Sequence, residues 1–549
     1  MNGGLLPLLG HHRQRHSATT TSRMVLIMVQ RFAPNQELLP FSPGPQPLAG
    51  SARDARPAAP VPRRRPASRP DRPRGFTLVE MLVTTAVTLT ILLALVNVFA
   101  WVGDRVASGR AMIEMSNALR AASTRLRTDL DNLTVPVRPF PSPDSSQGYF
   151  EYIERVLNDD SGRKLPTPLS LVGDTDDILA FTARSVGERY TGQWLGPQGG
   201  NLIARAITAP EAEVYWWAQY DDINGDLMTT ADEQVSRSLH RRVLLIRPDL
   251  NRPATGNMFT LPTYFNPGKN TYNTSNNADL ILLLNDLRRL YNTTNISFRL
   301  TSTGNANNLV VNVTANTLAD LSQRENRWLR RPYVIINPAN GLPGGISPNP
   351  NFPFPVDENG TATSLSLVSN FGDRLGEDVI LSNVLAFDVR AFDPTARIIA
   401  PNGIALLPPD PGWTPALAAN NANVVGRGGF VDLNYRLAYG TTWNTAANSL
   451  FSGPMNAKAR MSALGYSAYD TWSFFYEHDG VDQDGTGGAD QGTNGIDDNL
   501  VNGPDDPLER ETSPPYPVPL RGIQVILRVL DGDTRQVRQA TIVANFIPD

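Results

Sequence analysis

Two acidic features of this chain have residue types and spacings that suit chemistry. The first is the stretch Asp479-Gly-Val-Asp482-Gln-Asp484-Gly-Thr-Gly-Gly-Ala-Asp490, which runs on to Asp497-Asp498 and Asp505-Asp506. Asp alternating with Gly suits Ca²⁺, which takes six to eight oxygens at about 2.3–2.6 Å, while Gly allows the tight turns that gather them. Asp479, Asp482, Asp484 and Asp490 are the candidate ligands. The EF-hand spacing is broken, because no Glu stands at the twelfth position, so a solvated acidic loop is the competing reading. Asp221-Asp222-Ile-Asn224-Gly225-Asp226 is a smaller echo. The second feature is a lone carboxylate, Glu80, at the front edge of a long apolar run. A charge there is costly unless it is paired or reaches the interface.

Other chemistries find little support. There are no cysteines, which excludes disulfides, thiolate catalysis and Cys-ligated metals. Of the five histidines, His11, His12 and His16 lie in the first 75 residues, leaving His240 and His478 far apart. His478, inside Glu477-His478-Asp479, reads more readily as a loop residue than as a ligand. No HExxH, P-loop or nucleophile elbow is present. The expectation is a protein that is not an enzyme and requires no cofactor, with Ca²⁺ a candidate ligand of the acidic stretch. The aromatic runs Trp216-Trp217 and Phe474-Phe475-Tyr476 could form a binding face. In a strand, however, alternate residues face opposite sides, so one of each pair belongs to the core.

The element that positions Glu80 is clear. From Met81 to Gly103 the sequence holds no Asp, Glu, Lys or Arg. At about 1.5 Å per residue, such a helix crosses a hydrocarbon core of roughly 30 Å. Residues 51–74 hold eight Arg and two Asp. The chain carries +9 up to Gly75 but −4 as a whole, hence −13 thereafter. A basic front and an acidic remainder suit two segments in different compartments rather than one nucleic-acid-binding body. The Arg excess places the N-terminus in the cytoplasm and sends the rest across.

The run Gly75-Phe76-Thr77-Leu78-Val79-Glu80-Met-Leu-Val, with basic residues ahead of it, resembles the class III leader of type IV pilins and type II secretion pseudopilins. That resemblance implies cleavage by a prepilin peptidase between Gly75 and Phe76 and N-methylation of Phe76. Glu80 then becomes the fifth mature residue, which meets the terminal amine of a neighbouring subunit. Leu119-Arg-Ala-Ala-Ser-Thr-Arg-Leu-Arg-Thr-Asp-Leu130 and the C-terminal hairpin are similar to the minor pseudopilin called J. The implied partners are the prepilin peptidase, other minor and major pseudopilins, and an inner-membrane platform with its ATPase. The implied place is the bacterial inner membrane, single-pass, with a periplasmic head. A minor pilin of a type IV pilus, serving adhesion or DNA uptake, is the near alternative. A membrane-tethered enzyme or carbohydrate-binding head is the distant one.

The expected fold is α+β and pilin-like: a long N-terminal helix packed on an antiparallel β-sheet head with loop insertions. Residues 1–75 read as a basic, Pro-rich, disordered leader, either removed or preceding the true translation start, and 76–103 as the membrane helix. Residues 104–135 read as a stalk helix, with Met112, Met115, Leu119, Ala122, Leu126, Leu130 and Leu133 as its apolar stripe and Asp129 on another face. Residues 140–549 read as the head. Expected strands include Ile178–Ala183, Glu213–Ala218, Arg242–Arg247 and Val384–Phe392. A C-terminal hairpin turns at Asp531-Gly532-Asp533. Residues 251–278, 336–364 and 399–426 read as long inserted loops, and no internal repeat is evident.

Overall fold

The computed structural model describes residues 75–549 apart from 143–144, 156–173, 176, 199–200, 221–236, 306, 331–332, 337–342, 348–377, 409, 411–412, 414–422, 434, 436–465, 484, 513, 515, 517, 532–535 and 547–549. The basic leader, the 221–226 acidic echo and Asp484 therefore lie outside the described residues. The chain divides into two compact units, Met1–Val83 and Thr84–Asp549.

One helix, Leu78–Asp131, spans 54 residues. Two of the hydroxyls within its apolar run are satisfied by the helix itself. Thr88 Oγ1 and Thr90 Oγ1 donate to the carbonyls of Thr84 and Ala86 at 2.7 and 2.8 Å. The most apolar 18-residue window has no buried residue, and Leu89, Leu93 and Phe99 stand exposed. Burial starts in the second half, where Leu119, Ala122, Leu126 and Leu130 form the expected stripe and Met112 and Met115 are half-buried. The helix stops at Asp131, short of 135. Beyond it the chain pairs with a strand: Leu133 bridges Ala183, and Thr134 N donates to Thr182 O at 3.0 Å. Pro136 cannot resume the helix.

Asp129 corrects the helical reading, because it faces the head and is buried. Its carboxylate accepts from Arg241 Nε and Nη2 at 2.7 and 2.8 Å and from Trp216 Nε1 at 2.9 Å. This fork clamps the helix onto the sheet. An Asp129→Asn chain, which keeps the shape but removes the charge facing Arg241, will lose about 1–3 kcal/mol of stability. Urea unfolding of the detergent-solubilised protein measures it, and an unchanged midpoint would refute the clamp.

The helix packs on a six-stranded antiparallel sheet in the spatial order Val379–Leu381, Arg237–Leu245, Glu211–Tyr220, Ile178–Arg184, Phe150–Arg155, Tyr466–Asp470. Both faces of this sheet are covered. Trp216 lies in the core on the helix side, Trp217 in the core on the opposite side, and both are fully buried. The pair is therefore core twice over rather than half a binding face. His240 is also core, stacked on Trp217 with ring centroids 5.1 Å apart.

A second antiparallel sheet joins the helix-side core in the order Val424–Val431, Val384–Ile399, Gly522–Leu530, Val537–Asn545. Its last two strands form the expected hairpin, with Val525 opposite Ile542. Ile523, Val525, Leu527 and Val529 are buried, while Gln524 and Arg528 are half-buried on the other face. Residues 532–533 of the turn lie outside the described residues.

The other face of the six-stranded sheet carries structure where a loop is expected. Residues 251–278 include the strand Phe259–Thr260, the helix Leu261–Phe265 and the start of the helix Asn277–Thr293. That helix buries Leu280, Leu283, Leu287 and Leu290 at helical spacing, and Asn276 caps it by accepting from Ala278 N at 3.0 Å. It shares its core with a three-stranded sheet, Phe259–Thr260, Asn308–Ala315 and Phe298–Asn305. Of 399–426, Trp413 is among the described residues and is buried with Ala396, Ile399, Val431 and Tyr435. Of 336–364, the described part is the end of the strand Tyr333–Ile336 and its partner Pro343–Ser347.

Candidate functional site: the start of the apolar helix and the acidic loop

Gly75, Phe76 and Thr77 lie outside regular secondary structure and are exposed, and the helix begins at Leu78. Thr77 and Glu80 close a reciprocal capping box. Glu80 Oε2 accepts from Thr77 N at 2.9 Å and from Thr77 Oγ1 at 3.0 Å, while Glu80 N donates to Thr77 Oγ1 at 3.3 Å. Glu80 thus has a local structural role besides the intersubunit one expected of it. Its sequence signal is Thr-x-x-Glu before an apolar run. Both partners lie on the mature side of the Gly75–Phe76 bond, so cleavage there would leave the box intact. At the far end of the apolar run, the Arg105 guanidinium lies 5.5 Å from the Trp101 ring centroid, a cation–aromatic pair of the kind suited to an interface.

In the acidic loop, Asp479, Asp482 and Asp490 do not join any three-carboxylate convergence among the described residues. Each holds backbone instead. Asp479 Oδ1 accepts from Val481 N at 3.0 Å, Asp482 Oδ1 from Gly485 N at 2.6 Å, and Asp490 from Gly480 N at 3.1 Å. The loop also contains a repeat that the residue types conceal. Left-handed backbone recurs at positions 15 apart: Gly480 and Gly495, Gly485 and Leu500, Gly487 and Asn502, Asp490 and Asp505. Hydrogen bonds recur with it. Gly495 N donates to Asp505 at 2.8 Å as Gly480 N does to Asp490, and Ile496 N donates to Asn494 as Val481 N does to Asp479.

Each copy is closed by a Glu from farther along the chain. Glu511 accepts from Gln483 N and Gln491 N at 3.0 and 3.1 Å; Glu509 accepts from Asn499 N and Asp506 N, both at 3.1 Å. In sequence the repeat shows as Asp479-Gly-Val-Asp482 against Asn494-Gly-Ile-Asp497, with Gly488 against Gly503 and Asp490 against Asp505. Both copies expose apolar side chains, Val481 and Ile496 at equivalent positions and Leu500 besides. His478 is exposed, and its neighbour Glu477 is buried, accepting from Glu511 N and Thr512 N. Phe474 stacks on Phe140 at 4.8 Å, and Tyr476 donates to Glu325 at 2.8 Å, so this aromatic run serves packing.

Deeper in the head, Glu213 is fully buried. It accepts from Tyr149 OH at 2.8 Å, Ser297 Oγ at 2.6 Å, Trp328 N at 3.2 Å and from Tyr215 OH. Burial raises its pKa, and these four bonds only partly oppose that. A carboxyl whose folded pKa is raised stabilises the fold below its ordinary value and loses that contribution as pH rises through the folded one. Glu213→Gln therefore makes the head less sensitive to alkali. Melting temperatures of both chains at pH 5 and pH 8 test it, and equal losses in the two would contradict it.

Residues 71–96 match the prokaryotic N-terminal methylation motif. No curated protein and no solved structure matches the chain. The motif, the long apolar helix and the antiparallel head support a pilin-like or pseudopilin protein of the type IV class. They imply processing by a prepilin peptidase and membrane assembly with other pilins, and they suit a single-pass inner-membrane protein.

Proposed function

We propose that this chain is a minor pseudopilin of a type II secretion pseudopilus, similar to J, acting by assembly at the filament tip rather than by catalysis. The observation that carries this reading is the bare apolar half of the helix, led by Gly75-Phe76-Thr77-Leu78-Val79-Glu80. After cleavage, Phe76 becomes the N-methylated first residue, and the apolar half holds the subunit in the inner membrane with its head in the periplasm. A platform and its ATPase extract it and pack that half among other pseudopilin helices. Burying so much exposed Leu, Val and Phe provides the driving force once the helix leaves lipid. The Leu119–Leu130 phrase and the C-terminal hairpin favour J over other members. The twin acidic loop, with Asp479, Asp482, Asp484 and Asp490 in its first copy, is proposed to take Ca²⁺ and stiffen an apolar-tipped surface for fellow subunits.

Intact mass and N-terminal sequencing of the membrane-bound protein test the processing: a methylated Phe76 supports it, and an uncut chain overturns it. Deleting the gene then separates secretion from piliation. Loss of exported proteins with pili retained fits the pseudopilus, and loss of pili or DNA uptake with export intact fits a type IV minor pilin.

A further inference from the structure

We propose that Glu154, Asp174 and Asp177 form a buried Ca²⁺ site that ties the two sheets of the head together. One oxygen from each lies within 4.8 Å of the others, and all three residues are buried. Glu154 is the penultimate residue of the strand Phe150–Arg155 of the six-stranded sheet. The other two residues bind the long strand Val384–Ile399 of the four-stranded sheet. Asp177 Oδ2 accepts from Val389 N at 2.5 Å, and the main-chain carbonyl of Asp174 accepts from Phe387 N at 2.9 Å. Tyr152 OH lies between the sheets, against Glu154 Oε2 and the carbonyl of Val389. A cation here would therefore sit where the two sheets meet.

A second observation points to a ligand. Glu154 is 1% exposed, and its Oε1 has no hydrogen-bond partner among the described residues. A buried carboxylate oxygen left so is costly. Burial, and then Asp177, Asp174 and Asp432, hold the Glu154 carboxyl well above the ordinary carboxylate range. The charges that act on it most, Asp177, Asp174 and Asp432, are negative, and Arg390 is engaged with Asp388 and Asp432 at 2.7 and 3.3 Å. A divalent cation offsets the mutual repulsion of three carboxylates this close and gives Glu154 Oε1 a partner. Oxygen-only donors select a hard cation. The seam is buried, and Mg²⁺ keeps several of its waters, so Ca²⁺ fits better. This site is distinct from the exposed twin loop and does not rest on the assembly reading.

The test uses the full-length chain in detergent, stripped with EGTA and dialysed against radioactive Ca²⁺. Asp490→Asn with Asp505→Asn disables the exposed loops. That variant is expected to retain one tightly held Ca²⁺ per chain and to melt several degrees higher with Ca²⁺ than without. Adding Glu154→Gln, or separately Asp174→Asn, abolishes both the retained ion and the melting shift. Asp174→Asn leaves the Tyr152–Glu154 contact in place and decides the matter should Glu154→Gln fail to fold. The proposal is overturned if the loop variant binds no Ca²⁺. It is equally overturned if retention is unchanged in an Asp174→Asn chain whose circular dichroism matches its parent.

Discussion

An Arg327→Ala chain will lose about 3–5 kcal/mol of stability, because it strands two buried carboxylates. Glu151 and Asp470 stand opposite each other on the paired strands Phe150–Arg155 and Tyr466–Asp470, and both are fully buried. Like charges in that position repel, so the register is tolerable only with cations between them. Arg327 is itself fully buried. Its Nη1 lies 2.9 Å from both Glu151 Oε2 and Asp470 Oδ2, its Nε donates to Leu321 O at 3.0 Å, and its guanidinium lies 3.9 Å from the Tyr149 ring centroid. Arg324 adds a second cation, 2.9 Å from Asp470.

Removing Arg327 alone leaves a net excess of buried negative charge that Arg324 cannot cancel. Replacing the set together, as Arg327→Met with Glu151→Gln and Asp470→Asn, restores much of the loss, since charges that are absent need no solvation. Urea midpoints for the single and triple variants give the comparison, and a loss below about 1 kcal/mol in Arg327→Ala would sink the account. The cluster matters for function because Asp470 roots the segment that continues into the twin acidic loop. A loosened edge strand would release the surface proposed to meet other subunits.

Sequence reasoning reached the membrane helix, its apolar stripe and the C-terminal hairpin because each rests on local periodicity. The run from Met81 to Gly103 and the alternation of Ile523, Val525, Leu527 and Val529 need no tertiary information. Asp129 was not legible: an Asp among Arg125, Arg127 and Asp131 reads as a solvated face until Arg241, more than a hundred residues away, is known to lie opposite. The helix Asn277–Thr293 was hidden by the Asn- and Thr-rich residues before it, although Leu280, Leu283, Leu287 and Leu290 carry helical spacing. The 15-residue repeat escaped because its few identities, such as Gly488 with Gly503 and Asp490 with Asp505, are scattered among residues that differ, and its fuller likeness is one of backbone. Left-handed positions filled by Gly in the first copy hold Leu500 and Asn502 in the second. Glu154, Asp174 and Asp177 come together through a fold-level meeting of two sheets, which no spacing announces.

Glu80→Gln will abolish or strongly reduce assembly while leaving the helix start intact, and Thr77→Val will do the reverse. The capping role seen in the structure and the intersubunit role proposed for Glu80 are separable. Gln at the same position can still accept from Thr77 N and Thr77 Oγ1, so the capping box survives. It cannot carry the charge that the resemblance to pilins assigns to pairing with a neighbour's α-amine. In an apolar environment an amine left unpaired costs about 3–5 kcal/mol, more than about a hundredfold in an assembly equilibrium. Thr77→Val removes the hydroxyl that donates to Glu80 Oε2 and accepts from Glu80 N, a cap loss of about 1 kcal/mol, but keeps the carboxylate. Both variants are expected to be cut before Phe76, which intact mass verifies, so that a processing defect is not mistaken for an assembly defect. Crosslinking into sheared filaments then reads assembly. Normal incorporation of Glu80→Gln would mean that the carboxylate serves the cap alone, and loss of incorporation in Thr77→Val to the same degree would mean that the helix start, rather than the charge, is what assembly requires.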